Sequence, residues 1–348
     1  VFRSILLLAG LCFSQTYNLR GVEIYSTNVV HFGRWETRMK AAATPGTVSS
    51  FFVYYPNSST SSTGAPYPWR EIDIEVLGKS GFGFQSNLIT GTAASQTTSE
   101  AYHTLAFDLS SSYHTYTLDW TPDSVVWRID GTTVRKTTPS SQQVVDLRDS
   151  SDTYRMNLWA SNSPSWAGTL DTSKLPVLQI VHWMRYSAYT PNAGPGGSNF
   201  TPSWTDSFQN INTSRWAFGN WTFTGNYATF TNSNAKVQNG YLVMMLSTVG
   251  KMGQFPSSFP RDTAGTTGLR EGMASSTTTT NSLSQVRPGV WATPSPNPAL
   301  EAFDVRGQRI ARGSPSAGGQ ILDLRMSPRG LILVRQGSSS SWEIFRND

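Results

Sequence analysis

The sequence predicts an all-β protein, a β-sandwich jelly roll followed by a small C-terminal β module. Short alternating runs rich in β-branched and aromatic residues recur at 48–55, 71–77, 84–90, 114–120, 125–129, 154–159 and 178–186, each bounded by turn residues. Two dipeptides mark hairpins. Asp130-Gly131 separates 125–129 from 132–134, and Asn239-Gly240 separates 235–237 from 241–243; both suit tight primed turns that need positive φ. Helical periodicity is almost absent.

At the N-terminus, Arg3, an apolar run over 5–13 and Ser14 before Gln15 read as a signal peptide spanning 1–14, too short to cross a bilayer. The single cysteine, Cys12, lies inside it and follows Leu11, where a lipoprotein cleavage box wants a small residue. A mature chain without disulfides is expected, as suits a bacterial enzyme that is secreted, extracellular or at the cell surface and relies on a large core. No later segment reads as a membrane span.

With 348 residues the chain can bury one large core and carry a smaller module. The main domain is expected over 15–248, with a polar loop at 57–66 just ahead of the strand at 71–77. A Ser/Thr-rich stretch that includes 275–280 marks 249–288 as linker. A second β pattern, beginning at Trp291 and running through 302–310 and 330–335, defines a module over 289–348 that is small enough to be only marginally stable alone.

The net charge is +5, yet residues 15–250 hold 15 Lys+Arg against 15 Asp+Glu. The main domain therefore has no basic footprint for nucleic acid, and a neutral partner is expected. Twelve Trp and thirteen Tyr among only 14% charged residues suit either stacking surfaces for sugar rings or a large β core. His31, His103, His114 and His182 are widely spaced, which argues against a transition-metal site. Neither a phosphate-cradling loop nor a nucleophile elbow is present.

The chemistry is concentrated in Trp69-Arg70-Glu71-Ile72-Asp73-Ile74-Glu75-Val76-Leu77-Gly78. Period-two alternation puts Glu71, Asp73 and Glu75 on one face of a strand and Ile72, Ile74 and Val76 on the other. One reading is a solvated acidic face on an edge strand. The other is a two-carboxylate glycosidase, in which one Glu attacks the anomeric carbon and its partner protonates the leaving oxygen. A retaining enzyme needs its carboxyls about 5–5.5 Å apart, whereas residues four apart on a strand are separated by roughly 13 Å at Cα. Both Glu side chains must therefore lean inward over Asp73. Coulomb coupling within the trio is expected to split the carboxyl pKa values so that one stays protonated near neutral pH.

The segment Glu71-Ile72-Asp73-Ile74-Glu75, with Leu77-Gly78 after it, resembles the signature of glycoside hydrolase family 16. Supporting blocks are Tyr113-His114-Thr115-Tyr116, Trp120-Thr121-Pro122-Asp123, Trp127, Asp130-Gly131 and Met156-Asn157-Leu158-Trp159. A Glu-x-Asp-x-Glu strand without an inserted residue is similar to that of lichenases, which implies mixed-linkage 1,3-1,4-β-glucan as substrate. Asp206-Ser207-Phe208, Trp216, Asn220-Trp221-Thr222-Phe223 and Gly240-Tyr241-Leu242-Val243 ordinarily open such enzymes but here come last. This order resembles that of circularly permuted bacterial lichenases, with 190–205 as the joint between the former ends. Exposed, neighbouring termini make such a rearrangement physically easy.

The resemblance implies Glu71 as nucleophile, Glu75 as acid/base and Asp73 as helper. It further implies a sugar cleft built from Glu23, Phe52, Tyr54, Trp69, Gln85, Asn87, Gln96, Glu100, Arg155, Trp159, Trp166 and Trp221. Trp159, Trp166 and Trp221 would stack on pyranose faces, and the amides would bind hydroxyls. Phe218 and Pro56 or Asn57 stand where the permuted lichenases carry Lys and Asn, and Arg70 precedes the nucleophile where an aliphatic or acidic residue is common. No cofactor is expected for the chemistry. Many relatives bind a structural calcium ion, whose ligands here would be backbone oxygens and scattered side chains. Asp304-Val305-Arg306-Gly307 and 328–335 resemble sorting domains of type IX secretion, which implies the secretion machinery as a second partner; a small carbohydrate-binding or spacer module is the alternative. A monomer is expected. The rival functions are a laminarinase or galactan hydrolase on the same fold, a transglycosylase, and a non-catalytic lectin.

Overall fold

The structure is a computed structural model describing residues 18–56 and 67–263 and, beyond them, only the strands of the C-terminal segment. The expected signal peptide at 1–14 and the loop at 57–66 lie outside the described residues, as does most of the expected linker. The chain divides into two compact units, Val1–Asp262 and Thr263–Asp348.

The first unit opens with β1 (Leu19–Ser26), β2 (Gly33–Lys40), β3 (Thr47–Tyr54), β4 (Glu71–Leu77) and β5 (Gly83–Thr92). There follow β6 (Ser95–Thr98), β7 (Ala101–Thr104), β8 (His114–Thr121), β9 (Ser124–Ile129) and β10 (Thr132–Lys136). The later strands are β11 (Thr153–Ala160), β12 (Val177–Tyr189), β13 (Phe200–Asp206), β14 (Trp216–Phe218), β15 (Ala228–Phe230), β16 (Ala235–Val237) and β17 (Leu242–Thr248). All seven strands expected from alternation are present, at 47–54, 71–77, 83–92, 114–121, 124–129, 153–160 and 177–189. Both hairpin turns have the left-handed backbone that their residues tolerate, with φ of 48° and 81° at Asp130 and Gly131 and 56° and 77° at Asn239 and Gly240.

One layer of the sandwich runs β14-β1-β11-β3-β4-β5, with β6 and β7 pairing successive parts of β5. The other runs β12-β2-β8-β9-β10, with β13 and β17 sharing the outer edge of β12. β17 also pairs with the start of β1, so the two layers are continuous in hydrogen bonding. Between them lies the core. Ile24, Phe51, Ile72, Ile74, Val76 and Met156 from the first layer meet Trp35, Tyr116, Leu118, Trp120 and Trp127 from the second, all fully buried. The all-β sandwich that the alternation predicts is thus the observed fold.

The main unit extends past the boundary expected at 248. Phe255 and Phe259 cover buried Tyr113, Ile180, Tyr241 and Val243 on the second layer. Tyr113 Oη donates to the Pro260 carbonyl at 2.8 Å. Asp262 closes this strap with two 2.8 Å bonds from Arg38 and one 3.0 Å contact to His182. Burial alone would raise the Asp262 pKa, but the Arg38 hydrogen bonds and His182 outweigh it and hold the carboxyl below its ordinary value.

The second unit contains two four-stranded antiparallel sheets. One is built from Ser284–Arg287, Val290–Thr293, Gly319–Asp323 and Ser314–Ser316; the other from Arg309–Arg312, Leu300–Phe303, Gly330–Gln336 and Trp342–Asn347. Its first strand lies inside the stretch expected as linker.

Candidate active site

β4 sits between β3 and β5, which removes the edge-strand reading of its acidic face. Its register aligns side chains in rows across the layer. One row is Tyr25, Arg155, Phe52, Asp73 and Asn87; the next is Glu23, Asn157, Ser50, Glu75 and Gln85. Because alternate residues point to one side of a sheet, Ile72, Ile74 and Val76 enter the core while the three acids share the open face. That face floors a groove of about 760 Å³.

Of the residues expected in the cleft, Glu23, Phe52, Tyr54, Trp69, Gln96, Arg155, Trp159 and Trp221 line this groove together with Glu71, Asp73 and Glu75. Gln85, Asn87, Glu100 and Trp166 lie outside its lining. Gln85 and Asn87 are buried beside the acids, directly across the β4–β5 ladder from Glu75 and Asp73. Trp166, expected to stack on a sugar, has its Nε1 donating to Gln85 Oε1 at 2.9 Å and its ring 5.8 Å from that of Trp159. Asn87 Oδ1 accepts from the Ser99 backbone N–H at 3.0 Å, tying down the turn before β7. Ser50, Ile89, Ala93, Asn157, Phe223 and Thr224 line the groove without having been singled out from the sequence. Strand parity with Phe52 and Arg155 could have found Ser50 and Asn157.

The acids are held by their neighbours. Trp69 Nε1 donates to Glu71 Oε2 at 2.7 Å, and the Tyr54 ring stands edge-on to Trp69 at 5.5 Å. Arg155 Nη1 donates to Glu23 Oε1 at 2.9 Å, and Asn157 Nδ2 donates to Glu23 Oε2 at 3.2 Å. The same guanidinium lies 4.7 Å from the Tyr54 ring centroid and 5.2 Å from that of Tyr25. Ser50 in turn donates to Asn157 Oδ1. A cation and an acid are therefore locked together beside the trio.

Burial raises all three carboxyl pKa values. Glu71 is pushed up to about 7 by desolvation, opposed by the Trp69 hydrogen bond and the Arg155 charge. Glu75 is pushed up to about 8 by desolvation and then by the charges of Glu71 and Glu100. Asp73 rises well above its ordinary value through desolvation and the flanking glutamates, and it hydrogen-bonds Glu71. Loss of water leads the rise of all three carboxyls, ahead of the mutual repulsion expected from the sequence, while the Trp69 hydrogen bond and the Arg155 charge oppose it at Glu71 and not at Glu75. Glu71, with both a donor and a cation, ionises before Glu75. An ionised carboxylate beside a protonated one is the pairing that nucleophilic attack with acid assistance requires.

Among the described residues no group of three or more His, Cys, Asp or Glu side chains converges as a metal site, so the structure assigns no ligands to the expected calcium ion. No helix among them is long and apolar enough to cross a membrane.

Residues 9–175 match the family described as Glycosyl hydrolases family 16. A β-glucanase of Fibrobacter succinogenes is 45% identical over 242 residues, which are 70% of this chain and 67% of that protein. A β-glucanase of Bacillus licheniformis is 35% identical over 169 residues, 48% of this chain and 61% of that protein. The solved structure of B. licheniformis β-glucanase is 30% identical, covers 48% of this chain and 77% of its own, and superposes with a TM-score of 0.39. Since the Fibrobacter match extends over two thirds of each protein, and the residues that match the family include the trio on β4, the chain belongs to glycoside hydrolase family 16.

Proposed function

We propose that this protein is an exported, endo-acting, retaining glycoside hydrolase that cleaves mixed-linkage 1,3-1,4-β-glucan. The observation carrying this reading is the Glu71-Asp73-Glu75 trio at the floor of an aromatic-walled groove, with Glu71 the more readily ionised glutamate. Glu71 attacks the anomeric carbon while Glu75 gives its proton to the leaving oxygen, forming a glycosyl ester on Glu71. Water then attacks that ester as Glu75 takes a proton back. Asp73, hydrogen-bonded to Glu71 and shifted towards its protonated form by burial and the flanking glutamates, steadies the attacking carboxylate.

The uninterrupted Glu-x-Asp-x-Glu spacing favours the mixed-linkage substrate, and the β-glucanase relatives fit a β-glucan. Reducing-sugar release from mixed-linkage glucan, laminarin and carboxymethylcellulose, with product anomers followed by NMR, tests the reading. Cleavage of the first alone, with the β-anomer appearing first, is expected. Laminarin cleavage would move the specificity to 1,3-β-glucan, and glucan binding without hydrolysis would replace the enzyme with a lectin.

The same reading makes the chain a circular permutant. In support, the expected joint is a hairpin, Thr190 N–H bonding to the Asn199 carbonyl between the paired strands β12 and β13. A chain rebuilt with 200–262 ahead of residue 18 and the hairpin opened is expected to fold and to give the same products. Failure of that rearranged chain to fold, with wild type folding normally, would count against the permutation. The C-terminal unit is assigned to sorting during export.

A further inference from the structure

The register that builds the groove continues past its edge. β5 pairs with β4 on one side and β7 on the other, so Glu75, Gln85 and Tyr102 stand in one row on the same face. Two strand spacings, about 10 Å, separate Tyr102 from Glu75 along that row. Tyr102 is 42% exposed, a large aromatic left open to water on a short edge strand.

The local sequence makes the ring lie down on the sheet. A Cβ at Gly83 would come within 2.8 Å of Tyr102 Oη and 2.9 Å of its Cζ, so the phenol occupies the space above a bare glycine. Lys79, an exposed cation just past the end of β4, places Nζ 5.7 Å from the ring centroid. Gln85, between this ring and Glu75, is fixed by Trp166. The opposite end of the floor is marked by Trp221 and Phe223, 36% and 40% exposed. Aromatics thus stand at both ends of one continuous face with the acids between them. An aromatic face beside a hydrogen-bond donor is the surface that a sugar ring, apolar on its faces and hydroxylated at its rim, fits.

We propose that Tyr102, with Lys79, is an outer platform for a sugar residue on the leaving-group side of the scissile bond. The assignment rests on the hydrolase reading above. The leaving-group side follows from the row: Glu75, which protonates the departing oxygen, shares it with Tyr102, whereas Tyr54 and Trp69 enclose the Glu71 end of β4. The ring holds sugars two residues or more beyond the cut, and Lys79 donates to their hydroxyls.

The test compares two substrates, mixed-linkage glucan and an oligoglucoside carrying a single aryl leaving group that ends short of Tyr102. Tyr102→Ala is expected to lower kcat/KM on the polymer roughly 3- to 10-fold, the size of one aromatic stacking contact, and to lower it less on the aryl glycoside. Tyr102→Phe keeps the ring and is expected to recover most of the loss; Lys79→Gln is expected to reproduce part of it. Equal losses on both substrates, or none on the polymer, would overturn the platform while leaving the hydrolase reading intact. A wild type that cleaves neither substrate would sink the hydrolase reading and the platform with it.

Discussion

Glu75→Gln is expected to lower kcat/KM on mixed-linkage glucan by about 100- to 10,000-fold, the usual worth of a positioned general acid, and Glu71→Gln by at least as much. The amide at 71 cannot form the glycosyl ester, and the amide at 75 cannot deliver a proton to the leaving oxygen. These variants should gain stability as they lose activity. Glu71 rises from an ordinary value of 4.5 to about 7 and Glu75 to about 8, so both bind their protons more tightly in the folded chain than in the unfolded one. Their favourable contribution is therefore full below pH 4.5 and is lost as pH rises towards 7 and 8. Glu71→Gln has nothing to ionise there, and is expected to melt above wild type at pH 8 and closer to it at pH 5. Thermal melts at the two pH values, read beside the kinetics, check both halves. A Glu71→Gln protein retaining a tenth of wild-type rate would remove it as nucleophile, and one melting lower at pH 8 would contradict the buried-carboxyl account.

Trp127→Ala is expected to cost about 3–5 kcal/mol, the range for removing a large aromatic from a packed core. In a domain of this size that lowers the melting temperature by on the order of 10 °C. Trp127 is fully buried between the layers, and its Nε1 donates to the Asp73 backbone carbonyl at 2.9 Å, so it braces β4 from behind. Trp127→Phe keeps most of the ring but removes that hydrogen bond, which is expected to cost about 0.5–1.5 kcal/mol. Denaturant unfolding of the two variants separates packing from the hydrogen bond. If Trp127→Phe proved as costly as Trp127→Ala, the bond would carry the whole effect, and a cost under 1 kcal/mol for Trp127→Ala would show that the layers repack without it.

Much of the site was legible because period-two alternation is a local property. The shared face of Glu71, Asp73 and Glu75 follows from spacing, whereas Gln85 and Asn87 came from the family resemblance, and the β4–β5 register places each directly opposite an acid. Ser50 and Asn157 were equally readable from the parity of Phe52 and Arg155. Phe223 and Ala93 were not, because they come from segments whose approach to the groove depends on how the loops after β14 and β5 close over it. The Trp166 N–H was likewise beyond the reach of spacing, because Gln85, which accepts from it, is 81 residues away in the chain.

What the sequence by itself determined is whatever short-range periodicity and turn chemistry encode: the strands, both positive-φ hairpins, and the face on which the three acids stand. Tertiary structure alone decided how far the main unit extends and how the acids titrate. Residues 249–262 carry few apolar side chains, and Phe255 and Phe259 gain a place only because Tyr113, Ile180, Tyr241 and Val243, from three separate stretches of chain, present one surface to them. Likewise, the leading cause of the carboxyl shifts is the exclusion of water by walls drawn from β1, β3, β5 and β11. Spacing along one strand fixes which charges are neighbours; only packing between strands fixes how much water they keep.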